Sequence, residues 1–341
     1  MSSSGETQST RRRFAVRYLS LCAGGLLLFA LWGALDRRLV CAGLFLRLEG
    51  GAKAGAPAWL VHYREKVVSE RLLELPSGTR ARLYSPRAVS SPAGLVLAHG
   101  IHEEGIAEPR LRGLARALAS SGIEVLTPEL SELAHYHVTY QGAETIAEAA
   151  RLLAARLGRE RVMVFGISFG GGLALRAACD PKLRAPIERV IALGAHHDAY
   201  RVSRFFLGTA ATGPEGVSAG VEPHPYGRVV LYRSLFDLPH RGPFTPDEKE
   251  RVQAALTKAR DSLDRASPSH CPRPVDLPVF LLHGRGDRVI PYTETLWNQA
   301  QLARTTHVES LISDAIAHAE YEPPSLWERL RLVHFMARAS R

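Results

Sequence analysis

From residue 65 to the C-terminus, short apolar runs alternate with amphipathic stretches. Val67–Leu75 and Thr79–Tyr84 flank Pro76-Ser77-Gly78, which predicts two strands joined by a turn. Gly94–Ala98, Ile123–Thr127, Val162–Ile167, Arg189–Leu193, Pro278–Leu282 and His307–Ile312 are further strand-like runs. Between them, Leu111–Ala119, Ala143–Leu157 and Gly170–Ala178 have helical spacing, and Leu326–Ala337 closes the chain as an amphipathic helix. Gly158 follows the second helix as a C-cap. Strands alternating with helices predict the α/β class: a mostly parallel sheet covered on both faces. One gap interrupts the alternation, at about 199–277. It is far longer than an ordinary connection and predicts a cap insertion.

The N-terminal part follows a different pattern. Residues 18–35, YLSLCAGGLLLFALWGAL, carry no charge. At about 1.5 Å per residue this run is close to the shortest helix that crosses a bilayer core. Tyr18 and Trp32 stand near its ends, where amphipathic rings favour the interface. A transmembrane helix is expected at 18–35, after a tail at 1–17 and before a juxtamembrane linker at 36–64. The main folded domain then occupies 65–341. Within the linker, Leu39–Leu46 is apolar enough to lie along a membrane, and 50–57 are small, flexible residues. A cleaved signal peptide is the competing reading, but no A-x-A-like site follows the run. The short tail with Arg11, Arg12, Arg13 and Arg17 favours a cytoplasmic N-terminus and an extracytoplasmic domain, against Arg37, Arg38, Arg47 and Lys53 on the other side.

Composition narrows the function classes. In 341 residues, 46% apolar and 23% charged is the balance of a globular chain, and four Cys are too few for a disulfide framework. The sequence leaves open whether Cys179 and Cys271 pair. The net charge of +9 is concentrated at the start, where residues 1–56 hold eight basic and three acidic side chains. No dense basic face follows, so a nucleic-acid partner is not expected.

The candidate chemistry begins at Gly166-Ile167-Ser168-Phe169-Gly170, directly after the most apolar strand and before a helix. In that context G-x-S-x-G marks a sharp strand-to-helix bend that presents the central Ser, with glycines where the backbone comes close. A serine hydroxyl needs a base to take its proton and an acid to orient the base. Downstream, His283-Gly284-Arg285-Gly286-Asp287 places Asp287 beyond a buried strand, and His318 follows the last strand. The order Ser, Asp, His is the one expected of this architecture.

With His99-Gly100 after the third strand, these motifs make residues 67–338 resemble the α/β-hydrolase superfamily, in particular a serine esterase or lipase with a cap. The resemblance implies Ser168 as nucleophile, Asp287 as orienting acid and His318 as base. It also implies an oxyanion hole from the backbone N–H groups of Ile101 and Phe169, with His99, Gly100, Gly166 and Gly170 supporting the motifs. Two departures stand out. Ile101-His102-Glu103-Glu104-Gly105 replaces the glycine-rich run of many lipases, and Ala319-Glu320 follows His318 where relatives often have glycine. The two acids and His102 are expected to point outward and open the next helix, with recognition of a polar or cationic substrate group as the other reading.

Asp198, which closes Gly194-Ala195-His196-His197-Asp198, is the reserve acid. His196 and His197 point to opposite sides of a strand and so do not form a metal site. Tyr136, His137 and Tyr140 are candidates for substrate contact. Phe205, Phe206 and Leu207, with Tyr232, Leu235, Phe236 and Leu238, could line an acyl pocket or simply pack the cap. The expected protein is a membrane-anchored serine hydrolase of carboxylic esters, with membrane proximity pointing to lipophilic ones, needing no cofactor or metal. A non-catalytic binding protein of the same fold is the alternative. So is a hydrolase or acyltransferase acting on thioesters, amides or lactones.

Overall fold

The computed structural model describes residues 33–50, 56–240, 242–318, 320–321 and 325–340. Residues 33–48 form helix α1, and Ala58–Val61 the short α2. The body follows in chain order: β1 (Val68–Glu74), β2 (Arg80–Pro86), β3 (Ala93–Ala98), α3 (Pro109–Ser120), β4 (Ile123–Pro128), α4 (Ser131–Ala134), α5 (Gln141–Arg156), β5 (Val162–Ile167), α6 (Phe169–Ala178) and β6 (Ile187–Leu193). Three helices, α7 (Ala199–Phe206), α8 (Pro225–Phe236) and α9 (Pro246–Ala266), fill the interval before β7 (Val279–Gly284). Then come α10 (Thr293–Leu302), β8 (Val308–Ser313), the two-residue strands β9 (Ile316–Ala317) and β10 (Glu320–Tyr321), and α11 (Leu326–Ala339).

Eight strands form one sheet in the order β1-β2-β4-β3-β5-β6-β7-β8. The β1–β2 and β2–β4 pairs are antiparallel, and all the others are parallel. Each of the eight strand-like runs in the sequence is one of these strands. Alternation along β3 shows how the sheet is covered: Val96 and Ala98 face one core, Leu95 and Leu97 the other. The first core is closed by α5, α6 and the cap helices, the second by α1, α3 and α11. The α5 sequence explains its seat against β3 and α6, since Ala143, Ala147, Ala150 and Ala154 form a flat, fully or nearly fully buried stripe.

Residues 33–48 lie partly in the stretch expected to be a juxtamembrane linker, yet they form a helix docked on the body. Cys41 and Leu44 are buried with Leu332 and Phe335 of α11, and Arg47 donates to the Val61 carbonyl at 2.6 Å and to Ser121 Oγ at 2.8 Å. No helix among the described residues is long and apolar enough to cross a membrane. Of the apolar run 18–35, only residues 33–35 lie within the described part.

Candidate active site

The parallel strands all end at one edge of the sheet, and the loops leaving β3, β5, β7 and β8 carry the candidate residues there. Val162–Ile167 is an almost wholly buried strand, so the chain must turn at its end to stay over the sheet. Ser168 takes that turn at φ 55°, ψ −128°, a conformation that L-residues rarely adopt and that persists only where the surroundings enforce it. Its N–H donates to the Leu193 carbonyl at 2.7 Å, which ties the bend to β6. The flanking glycines are required by space. A Cβ on Gly170 would lie 2.2 Å from the His99 carbonyl oxygen, and one on Gly166 would lie 2.5 Å from that of Gly170.

Asp287 is 1% exposed and follows β7. Its Oδ1 accepts from the N–H groups of Val289 and Ile290 at 2.8 and 2.9 Å, so the loop holds the carboxylate from behind. His318 faces it, with Nδ1 3.0 Å from both carboxylate oxygens. Burial opposes ionisation of Asp287. The charge of His318 and the hydrogen bonds from His283 and His318 outweigh it and hold the carboxyl well below the usual range. His318 sits at φ 33° between β9 and β10, and its side chain keeps 27% of its exposure. A carboxylate on Nδ1 leaves Nε2 as the free nitrogen, the tautomer a general base needs. Ser168 Oγ and His318 make no hydrogen bond to each other among the described residues. Their loops are linked through Leu193 and through Gly194, whose Cβ position lies 3.5 Å from Asp287 Oδ2.

The β3 loop completes the edge. Gly100 packs against Ser168, its Cβ position 2.9 Å from Ser168 Cβ and 3.4 Å from Oγ. His99 fixes this loop. Its Nε2 accepts from the Leu130 N–H at 2.9 Å, so Nδ1 carries the proton and donates to the Gly100 carbonyl at 2.7 Å. That carbonyl belongs to the same peptide plane as the Ile101 N–H, so the imidazole sets the direction of the donor. Ile101 and Phe169 donate to no protein acceptor among the described residues, which leaves both N–H groups available for an oxyanion.

One sheet edge thus gathers a serine at a strained bend, a histidine held by a buried carboxylate and two unengaged backbone donors. A model of the alpha/beta hydrolase family matches residues 95–317. The chain belongs to the α/β-hydrolase family. No curated protein matches it significantly. Similar solved structures include an acylaminoacyl peptidase in complex with Z-Gly-Gly-Phe-chloromethyl ketone (TM-score 0.54, 15% identity, covering 84% of this chain and 44% of that one). A hyperthermophilic esterase from the archaeon Pyrobaculum calidifontis has a TM-score of 0.51 at 17% identity, covering 82% of this chain and 85% of its own. The chain spans less than half the length of the acylaminoacyl peptidases, including that of Pyrococcus horikoshii, of which 41% is covered.

The remaining candidates of this α/β-hydrolase separate clearly. Asp198 caps α7, with Oδ1 accepting from the Arg201 N–H at 2.9 Å. His196 is wholly buried against Phe169 and Gly172, whereas His197 hydrogen-bonds Gln301 and stacks on Trp297. Tyr140 donates to Asp180 beneath the Arg176 guanidinium, burial and that carboxylate raising its hydroxyl to about 12. Phe205, Phe206 and Leu207 are buried, and Phe206 holds Gly227 of α8. Tyr232 and Phe236 pack with His240 and Phe244 inside the cap, and Leu238 is exposed. His102, Glu103 and Glu104 do point to solvent, but it is Glu108 that caps α3, accepting from the Leu111 N–H at 2.6 Å. Glu103 instead pairs with Arg233 of the cap at 3.3 Å.

Sequence reasoning gave no role to His283 or Tyr226. His283 donates from Nε2 to the Ile290 carbonyl and accepts from Thr295 at Nδ1, clamping the Asp287 loop to α10. The hydroxyl of Tyr226 donates to the Ile101 carbonyl at 3.3 Å. The strand–His–Gly pattern could have pointed to His283, while nothing local marks Tyr226. Cys179 and Cys271 are joined by a disulfide.

Proposed function

We propose that this protein is a membrane-anchored serine hydrolase that cleaves carboxylic esters through an acyl-enzyme. The observation that carries the reading is the His318–Asp287 pair on the edge where the bend presents Ser168. His318 Nε2 takes the hydroxyl proton as Ser168 Oγ bonds to the ester carbonyl carbon. The carbonyl oxygen becomes an oxyanion facing the Ile101 and Phe169 N–H groups. Collapse breaks the bond to the alcohol, which leaves with the proton from His318. Water then repeats the sequence, giving its proton to His318 and freeing the acid and Ser168.

Removing one oxyanion donor typically costs about 3–4 kcal/mol of transition-state stabilisation. That is why the His99 hold on the Gly100–Ile101 peptide belongs to the mechanism. Residues 18–35 supply the anchor in this proposal. An extracytoplasmic domain agrees with the Cys179–Cys271 disulfide, since such bonds persist in oxidising compartments.

Labelling with a fluorophosphonate and turnover of p-nitrophenyl esters test the chemistry together. The expected result is prompt labelling that Ser168→Ala abolishes, with ester turnover lost alongside. A folded protein that neither labels nor turns over is a binding module. One that labels but cleaves only acyl-peptides or thioesters is a hydrolase of another bond.

A further inference from the structure

Large apolar side chains left in water collect on two helices that touch each other. Among the described residues ten are exposed, and five of these, Leu35, Leu48, Leu326, Trp327 and Leu330, belong to α1 and α11. Leu326 is 72% and Trp327 70% exposed. Leu330 follows them at i+4 and i+3, so the three make one patch on the first turns of α11. A contiguous apolar patch marks a surface that meets something other than water.

The two helices are tied side by side and run antiparallel. Arg38 of α1 donates to His334 Nδ1, in the second half of α11, at 3.2 Å. Glu49, just past the end of α1, pairs with Arg329, near the start of α11, at 3.0 Å. Cys41 and Leu44 pack inward between these ties. Leu35, Leu39, Ala42 and Leu46 recur at helical spacing on the opposite side of α1, and each keeps part of its exposure. The start of α11 stands at the catalytic edge, since Glu328 accepts from Ser313 Oγ at 2.6 Å where β8 ends. At the other end of α1, residues 33–35 are both the last of the apolar run 18–35 and the first of the helix. The run thus passes into the docked helix with no spacer between them.

We propose that α1 and the first turns of α11 lie in the headgroup layer of a bilayer, the chain turning at Gly33 into a helix parallel to the surface. The proposal rests on the reading of residues 18–35 as an anchor. An α1 standing upright on that anchor would lift the start of α11 by its own length, about 24 Å at 1.5 Å per residue. It would leave both the α1 stripe and the α11 patch in water. Lying flat buries both at once and sets Trp327 at the depth that amphipathic rings prefer. The charges beside the patch are already matched, Arg329 by Glu49 and Arg331 by Glu328 at 2.5 Å. Contact is therefore apolar insertion and not attraction to anionic lipid. The catalytic edge is then held against the membrane, where an ester dissolved in the bilayer reaches it without crossing water.

The test reconstitutes the full chain in neutral phosphatidylcholine vesicles whose acyl chains are brominated near the carbonyl, and reads tryptophan emission. The part of the emission that bromine quenches should shrink in Trp327→Phe. It should stay unchanged in Trp297→Phe, the control on α10, whose Leu302 belongs to the other core. High salt should alter neither result. A chain that floats with the vesicles after an alkaline carbonate wash, with Trp327 untouched by bromine, stands upright; that overturns the proposal and keeps the anchor. Trp327 shielded from both bromine and aqueous acrylamide is covered by residues 1–32 or a second copy, which also overturns it. Flotation that carbonate strips, with Trp327 quenched beforehand, removes the anchor and upholds the lipid-facing surface. No flotation at all overturns both.

Discussion

The carboxylate of Asp198 accepts the backbone N–H of Arg201, whereas that of Asp287 faces the imidazole of His318. Two acids at neighbouring strand ends thus have different tasks. Asp287→Asn should reduce kcat by about 10⁴-fold, because the base loses its tautomer and its counter-charge. Asp198→Ala should keep kcat within a few-fold and lower stability by about 1 kcal/mol, the worth of a helix cap. Steady-state kinetics and urea unfolding of the two variants check this. Equal loss of activity in both would remove the assignment.

The glycines of the bend provide a steric prediction. Gly170→Ala places a methyl group on the His99 carbonyl, and backbone cannot yield as a flexible side chain can. A destabilisation of about 3 kcal/mol or more is expected, with loss of fluorophosphonate labelling as the oxyanion loop is displaced. Gly286→Ala meets nothing within 4 Å and serves as the silent control.

A pH prediction comes from His196. Burial lowers its pKa from 6.5 to about 4, outweighing the opposing pull of the Ala266 backbone, and neither ring nitrogen has a hydrogen-bond partner of ordinary geometry. Between those values the unfolded chain binds a proton that the folded chain refuses. Stability therefore falls as pH drops from about 6.5 to 4, by about 3 kcal/mol from this residue. His196→Phe should flatten that part of the stability–pH curve. An unchanged slope in chemical denaturation across that window would show that the ring is not held neutral.

His99 should act on rate rather than on binding. His99→Gln disturbs the hold on the Gly100 carbonyl, and kcat should fall by about tenfold with KM nearly constant, the pattern of an interaction made in the transition state. A rise in KM alone would assign the imidazole to substrate binding.

How much of this was legible in the sequence depended on how local each signal was. The β5 run is uniformly apolar and ends in G-x-S-x-G, so strand, bend and nucleophile are all read from nine residues. The strand endings after β7 and β8 placed Asp287 and His318 by order alone. Helix α10 was missed because its buried face is polar: Thr293, Glu294, Thr295 and Asn298 are each at most 2% exposed, and Glu294 answers the N–H groups of His197 and Asp198. No hydrophobic period could reveal it. Tyr226 and Arg233 become meaningful only once the cap returns to the oxyanion loop, a relation across more than a hundred residues. The Cys179–Cys271 pairing likewise depends on where the cap re-enters the body.

That disulfide closes a covalent ring around β6 and all three cap helices, joining positions 92 apart in sequence. Severing it should cost about 2–4 kcal/mol, visible as a lower melting temperature in Cys271→Ser or under reductant. The ring also bears on survival after proteolysis. A protease that nicks an exposed loop between the cap helices leaves both pieces on one molecule, migrating as a single band until reductant is added. Both pieces stay tied to Cys179 at the C-terminal end of α6, the helix that Ser168 opens, so a clipped molecule keeps its cap.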